Sequence, residues 1–171
     1  MANTAIKVVI FDMGGVLVRT TDPQPRKNLA EKFGMSFNEI DDLVFGCETA
    51  KMATAGEIPE SKHWAFIADH LHLSAQELEN FQQQFWAGDT LNQELIDYIE
   101  EIRLDYNIGL LSNAWSGARA SLSSKFPFLH LFDVSIFSAE VKLAKPAAAI
   151  YKLAINKFDV RPSEVVFVDD F

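Results

Sequence analysis

The chain has 171 residues, is 49% hydrophobic and 12% aromatic, and carries 24 acidic against 15 basic side chains, for a net charge of −9. That length holds one domain, or a core with a small inserted subdomain, and the apolar content allows a substantial buried core. The acidic balance argues against a basic track for nucleic acid, and no run approaches the roughly 18 consecutive apolar residues of a membrane span.

The N-terminal residues lack the charged-then-apolar layout of a secretory leader. Cys47 is the single cysteine, which excludes an intramolecular disulfide and makes a reducing cytoplasm the expected location. With this net charge the global field repels an anionic ligand. Such a ligand needs a local site of positive charge.

Residues 6–17 form an apolar, β-branched run broken by Asp12 and two glycines, Gly14 and Gly15. A run without alternation fits a strand buried on both faces of a parallel sheet. Ligands of such sheets bind just past the carboxyl ends of the strands, where Asp12 falls. Taken alone, Asp12 reads equally well as the cap of a turn.

Past Leu17 the pattern changes. Asp22-Pro23-Gln24-Pro25 is a breaker cluster, and helical periodicity then runs to about Gly88. Ser36 with Glu39 and Ser74 with Glu77 read as capping boxes. Pro59 can open another helix whose apolar face is Trp64, Ile67, Ala68 and Leu71. Gly34, Gly46, Gly56 and Gly88 stand where these helices would stop.

From residue 89 helix and strand alternate. Leu91, Leu95, Tyr98, Ile99 and Ile102 predict an amphipathic helix. A strand over 107–112 follows, ending in Ser112 and Asn113, with a helix after Trp115 and a short strand near 134–137. A helix over 146–158 turns Ile150, Leu153, Ala154 and Phe158 inward, opened by Pro146 directly after Lys145. The last buried-strand pattern, 165–168, ends in Asp169 and Asp170. This alternation predicts a doubly wound parallel α/β sheet.

Asp12, Ser112 with Asn113, Lys145 before Pro146, and Asp169-Asp170, each at an element end and in that order, resemble the four motifs of the haloacid dehalogenase superfamily. The stretches Leu111-Ser112-Asn113-Ala114-Trp115, Ser138-Ala139-Glu140-Val141, Lys145-Pro146 with Ile150-Tyr151, and Phe167-Val168-Asp169-Asp170-Phe171 are most similar to its phosphatase-type members with a helical cap. Each motif alone is weak and the ordered set is strong. The resemblance implies core segments 1–18 and 89–171 around a helical cap, 19–88. It also implies that the core continues past residue 171, so a fragment of a longer chain is expected.

The resemblance further implies a Mg²⁺-dependent hydrolase that cleaves a small phosphorylated metabolite through a phosphorylated Asp12. Asp12, the Gly14 carbonyl, Asp169 and Asp170 would hold the metal. Ser112 and Asn113 would hold the transferring phosphoryl oxygens, and Lys145, preferred over Lys142, would neutralise Asp12 and the phosphoryl group. One position departs from the pattern. Gly14 stands where most phosphatases of the superfamily have a second aspartate as general acid and base, a contribution of roughly 10²–10⁴ in rate.

Three readings follow from Gly14: a phosphatase for good leaving groups, an enzyme that borrows an acid from the cap, or a non-catalytic or regulatory domain. His63, His70 and His72 are the nominal donors for the second. Metal-free 2-haloacid dehalogenase chemistry is a further alternative, against which the Asp169-Asp170 pair counts. Trp64, Trp86 and Trp115 read as packing residues, Trp115 being the one close enough to Asn113 to watch. Cys47 reads as a small buried apolar side chain.

Overall fold

The computed structural model describes residues 5–170. The chain opens with β1 (Val8–Phe11), followed by β2 (Val18–Thr20). Five helices come next: α1 (Gln24–Lys32), α2 (Phe37–Phe45), α3 (Glu48–Thr54), α4 (Glu60–His70) and α5 (Ala75–Phe85). The remainder is β3 (Asp89–Leu91), α6 (Gln93–Ile102), β4 (Asn107–Ser112), α7 (Ala118–Lys125), β5 (Val134–Phe137), α8 (Ser138–Val141), α9 (Ala148–Phe158) and β6 (Val165–Val168).

β1, β4, β5 and β6 form one parallel sheet in the order β5-β4-β1-β6. Alternate side chains of these strands enter two cores. Phe11, Ile108 and Leu110 pack with Ile96 and Ile99 of α6 and Leu122 of α7. Val8, Ile10, Leu111 and Ile136 face Ile150 and Ala154 of α9. Helices on both faces make this the doubly wound α/β arrangement that the alternating pattern predicts. The chain leaves β1 for β4 on one side and returns to it through β6 on the other, so β1 borders the point where strand order reverses, at which open α/β sheets bind ligands.

The helices between β2 and β3 have a core of their own, in which Leu29, Ile40, Val44, Trp64, Ile67, Phe81 and Phe85 are buried. Both predicted capping boxes form. The Ser36 hydroxyl accepts from the Glu39 N–H while the Ser36 N–H donates to Glu39 Oε2, and Ser74 with Glu77 repeats the pattern. Such reciprocal caps satisfy N–H groups that a helix start leaves unpaired.

Four local expectations need correction. Leu91 lies in β3 and not in the following helix, because residues 18–20 and 89–91 pair as an antiparallel ribbon at the base of the helical insert. Tyr98 is 53% exposed, leaving Leu95, Ile96, Ile99 and Ile102 as the inward face of α6. The helix expected from Pro146 starts at Ala148, since Pro146 is held in a turn with the Ala147 N–H donating to the Ala144 carbonyl. β6 borders the described sheet on one side only, so Val166 is 40% exposed and the strand is half-covered instead of buried.

Candidate active site

Because the sheet is parallel, its strands end on one side, and the candidate residues meet there. Asp12 follows β1 directly, its N–H donating to the Val168 carbonyl at 2.9 Å, so the two carboxylate-bearing turns are stitched together. Asp12 is buried; Asp169 is half-buried and Asp170 exposed. One oxygen from each of these three carboxylates lies within 4.8 Å of the others.

The Lys145 ammonium enters this acidic group. It donates to Asp169 Oδ2 at 2.9 Å and stands 3.0 Å from Asp12 Oδ1, over the Phe167 ring at 5.3 Å. The contact with Asp12 is an ion pair, in which the Lys145 ammonium is the cation facing the buried Oδ1. Lys142 is exposed, in a left-handed turn after α8, with no ion pair to this group.

Burial pushes the Asp12 carboxyl above its ordinary range, outweighing Lys145 and the Met13 N–H, which favour the charged form. Burial acts on Asp169 in the same sense. There the hydrogen bond and charge of Lys145, with the Asp170 N–H, prevail and hold the carboxyl below its usual value. A single lysine therefore compensates unequal partners.

The loop after β1 is shaped by two glycines with different surroundings. Gly15 has φ +76°, and a Cβ there would overlap the Asp170 carboxylate. Gly14 opens onto free space, and its carbonyl accepts no hydrogen bond among the described residues. The Met13 carbonyl accepts from the Leu17 and Val18 N–H groups, while Arg19 Nε donates to the Gly15 carbonyl at 2.8 Å.

Ser112, at the end of β4, is buried, and its hydroxyl makes no hydrogen bond among the described residues. The Asn113 amide is engaged by the main chain of Lys145 on both of its atoms. Phe171, the last residue of the fourth motif, lies outside the described residues.

The helical insert is fastened to this same loop. Trp115 packs against His63, Trp64, Trp86 and Phe45, and its Nε1–H donates to Thr54 Oγ1 at 3.1 Å. Glu60 accepts from the Gly117 N–H at 2.8 Å and from Trp64 Nε1–H at 3.0 Å. The Ser138 hydroxyl accepts from the Ala114 N–H and donates to the Thr54 carbonyl. Sequence reading missed these ties and the β2–β3 ribbon; the β-branched residues Val18, Thr20 and Thr90 flanking the insert were the available signal for the ribbon.

Among the described residues none of His63, His70 and His72 is bonded to or paired with these carboxylates. His63 is fully buried; the Val44 carbonyl can only accept, so Nε2 donates to it and Nδ1 accepts from the Thr49 hydroxyl. Burial lowers its basicity, against the Val44 hydrogen bond and the Glu60 charge. His70 stacks on Phe66, and His72 sits in a left-handed turn after α4. Cys47 is half-buried before α3, with Sγ 3.3 Å from Thr49 Oγ1.

Three carboxylates that each offer a hard oxygen within 4.8 Å of the others fit a small divalent cation such as Mg²⁺. Among the described residues no helix is long and apolar enough to cross a membrane.

Comparison with known proteins agrees with this geometry. The D-ribitol-5-phosphate phosphatase of Bacteroides thetaiotaomicron is 27% identical, over 96% of this chain and 83% of its own. The phosphorylated carbohydrates phosphatase of Thermotoga maritima is 23% identical, over 96% and 76%. Pig bifunctional epoxide hydrolase 2 is 25% identical over 97% of this chain, which spans 33% of that longer protein. Among solved structures, a Bacteroides thetaiotaomicron enzyme complexed with magnesium and inorganic phosphate superposes with a TM-score of 0.80 at 21% identity, covering 98% of this chain and 86% of that one. The profile of haloacid dehalogenase-like hydrolases matches residues 6–171. With that match running through every strand end described above, the chain belongs to the haloacid dehalogenase-like hydrolase family.

Proposed function

We propose that the protein is a Mg²⁺-dependent phosphatase acting on a small phosphorylated metabolite, with Asp12 as the nucleophile. The convergence of Asp12, Ser112, Lys145, Asp169 and Asp170 at one end of the sheet carries this reading. Two relatives named for phosphorylated polyols and carbohydrates point to that substrate class.

In the first step Asp12 attacks phosphorus and the ester oxygen leaves with the bonding pair, giving an aspartyl-phosphate. In the second, water attacks phosphorus and gives up a proton to solvent, the Asp12–phosphorus bond breaks with its electron pair returning to the carboxylate, and inorganic phosphate is released. Gly14 provides no proton, so the leaving oxygen takes one from solvent. Lys145 holds positive charge beside the attacking carboxylate and the equatorial phosphoryl oxygens, while the Ser112 hydroxyl donates to one of them. Asp12, Asp169, Asp170 and the Gly14 carbonyl would hold Mg²⁺, which when bound would supply compensating charge for a dianionic substrate. The helical insert acts as the cap that shapes the substrate pocket.

Phosphate release from a panel of sugar, polyol and aryl phosphates, with Mg²⁺ and with EDTA, tests this. Metal-dependent release lost in Asp12→Asn supports it. Absence of release from every ester in the intact protein favours a non-catalytic domain, the second reading that Gly14 supports.

A further inference from the structure

Asn113 directly follows Ser112, and its family resemblance gives its amide to phosphoryl oxygens. In the structure that amide is occupied elsewhere. Asn113 Oδ1 accepts from the Lys145 N–H at 2.8 Å, and Nδ2 donates to the Lys145 carbonyl at 3.0 Å. Both main-chain polar groups of one residue are thus held by one planar side chain.

Lys145 lies between α8 and α9, outside any regular element. Its main chain makes no further hydrogen bond among the described residues, and Pro146 beyond it has no N–H to offer. Loop residues are ordinarily the mobile part of a site. Here the clamp fixes the base of a long side chain, while Asp12 and Asp169 receive its tip. A catalytic charge displaced by about 1 Å can cost roughly 10² in rate, so the base of this side chain matters as much as its tip.

We infer that Asn113 is a positioning residue that acts through Lys145, setting where the ammonium stands between Asp12 and Asp169. The kinetic form of this inference rests on the phosphatase reading; the placement does not.

A double-mutant cycle measures the coupling. With p-nitrophenyl phosphate and Mg²⁺, Asn113→Ala should lower kcat by roughly 10- to 10²-fold with little change in KM. In a Lys145→Ala background the same substitution should change kcat by less than about twofold. An equal loss in both backgrounds means that Asn113 touches the phosphoryl group itself and overturns the inference, as does no loss in the first.

Lysine acetylation read by peptide mass spectrometry needs no turnover. Lys145 should label slowly in the native protein and faster in Asn113→Ala, while exposed Lys142 labels equally in both. Unchanged Lys145 labelling overturns the inference. Faster labelling in a protein that hydrolyses no ester upholds the positioning role and leaves the phosphatase reading as the one that fails.

Discussion

Gly15 and Asp170 occupy adjoining space so closely that a methyl group on Gly15 would overlap the Asp170 carboxylate. Gly15 is therefore required twice, for its positive φ and for the room it leaves to an acidic side chain. Gly14, one residue earlier, meets nothing within 4 Å. Gly15→Ala should cost about 1–2 kcal/mol in backbone strain alone and displace Asp170 as well. Gly14→Ala should shift stability by no more than about 1 kcal/mol. Urea melts of the two variants, with and without Mg²⁺, check the contrast. Equal costs would contradict the environments described.

The open space at Gly14 also bears on chemistry. Without an acid at this position, turnover should fall steeply as the leaving group becomes more basic, simple alkyl phosphates lagging aryl phosphates by about 10²–10⁴. Gly14→Asp places a carboxyl in free space and should narrow that gap. The check is kcat/KM for size-matched esters graded in leaving-group pKa. A flat profile in the native protein would show that another group donates the proton.

Asp12→Asn preserves shape, removes the carboxylate charge and leaves Lys145 paired with Asp169. Turnover should vanish while the melting temperature holds or rises, because burial disfavours the Asp12 anion that the substitution removes. Residual activity above a few per cent, estimated for a step that depends on one covalent nucleophile, would exclude Asp12 from that role.

Removing Lys145 leaves neighbouring carboxylates uncompensated in a buried setting. Lys145→Ala should destabilise the protein by about 3–5 kcal/mol near pH 8 in EDTA, the range for breaking a buried ion pair. Two further signs are expected. Mg²⁺ should recover part of the loss by binding the native state. Acidification should recover part too, because Asp12, already shifted upward by burial, becomes neutral more readily without the lysine. Chemical denaturation at pH 8 and pH 5.5 measures both. A loss independent of metal and pH would locate the lysine's contribution in packing alone.

Glu164 joins the starts of β1 and β6. Its carboxylate accepts from Arg161 and lies 2.9 Å from Lys7 Nζ, while the Lys7 N–H donates to its carbonyl. The Arg161 side-chain and main-chain donors, then Lys7, pull its pKa from 4.5 down to about 2. A depressed native pKa contributes stability that is complete above the unfolded value and lost as pH falls towards the native one. The native protein should therefore lose stability between pH 4.5 and about 2 more steeply than Glu164→Gln. Parallel stability–pH curves for the two proteins would remove Glu164 from the acid response.

Asp12, Ser112, Lys145, Asp169 and Asp170 were legible only as an ordered set, each at an element end and in the order that resembles the haloacid dehalogenase motifs. In a parallel sheet the ends of the strands lie on one edge. The capping boxes of Ser36 and Ser74 were legible for a more local reason, since they connect residues three apart. The β2–β3 ribbon was harder to see: each strand has three residues, and its partner lies about seventy positions away. Arg26 shows the same limit. Nothing beside it marks a cation that is 7% exposed, bonded to Asp41, Asp89 and the Phe85 carbonyl, with its guanidinium 4.2 Å from the Phe85 ring centre.

By itself the sequence determined the α/β class, the helical character of the insert and the residues of the acidic site, because periodicity, caps and strand ends are local consequences of backbone geometry. Tertiary structure decided which groups share one charge and which orient one another. Lys145 is divided between Asp12 and Asp169, Asn113 is spent on the Lys145 main chain, and Trp115 belongs to the helical layer. These are contacts between distant segments, and their geometry and energy depend on burial and orientation that exist only once the strands and helices have packed.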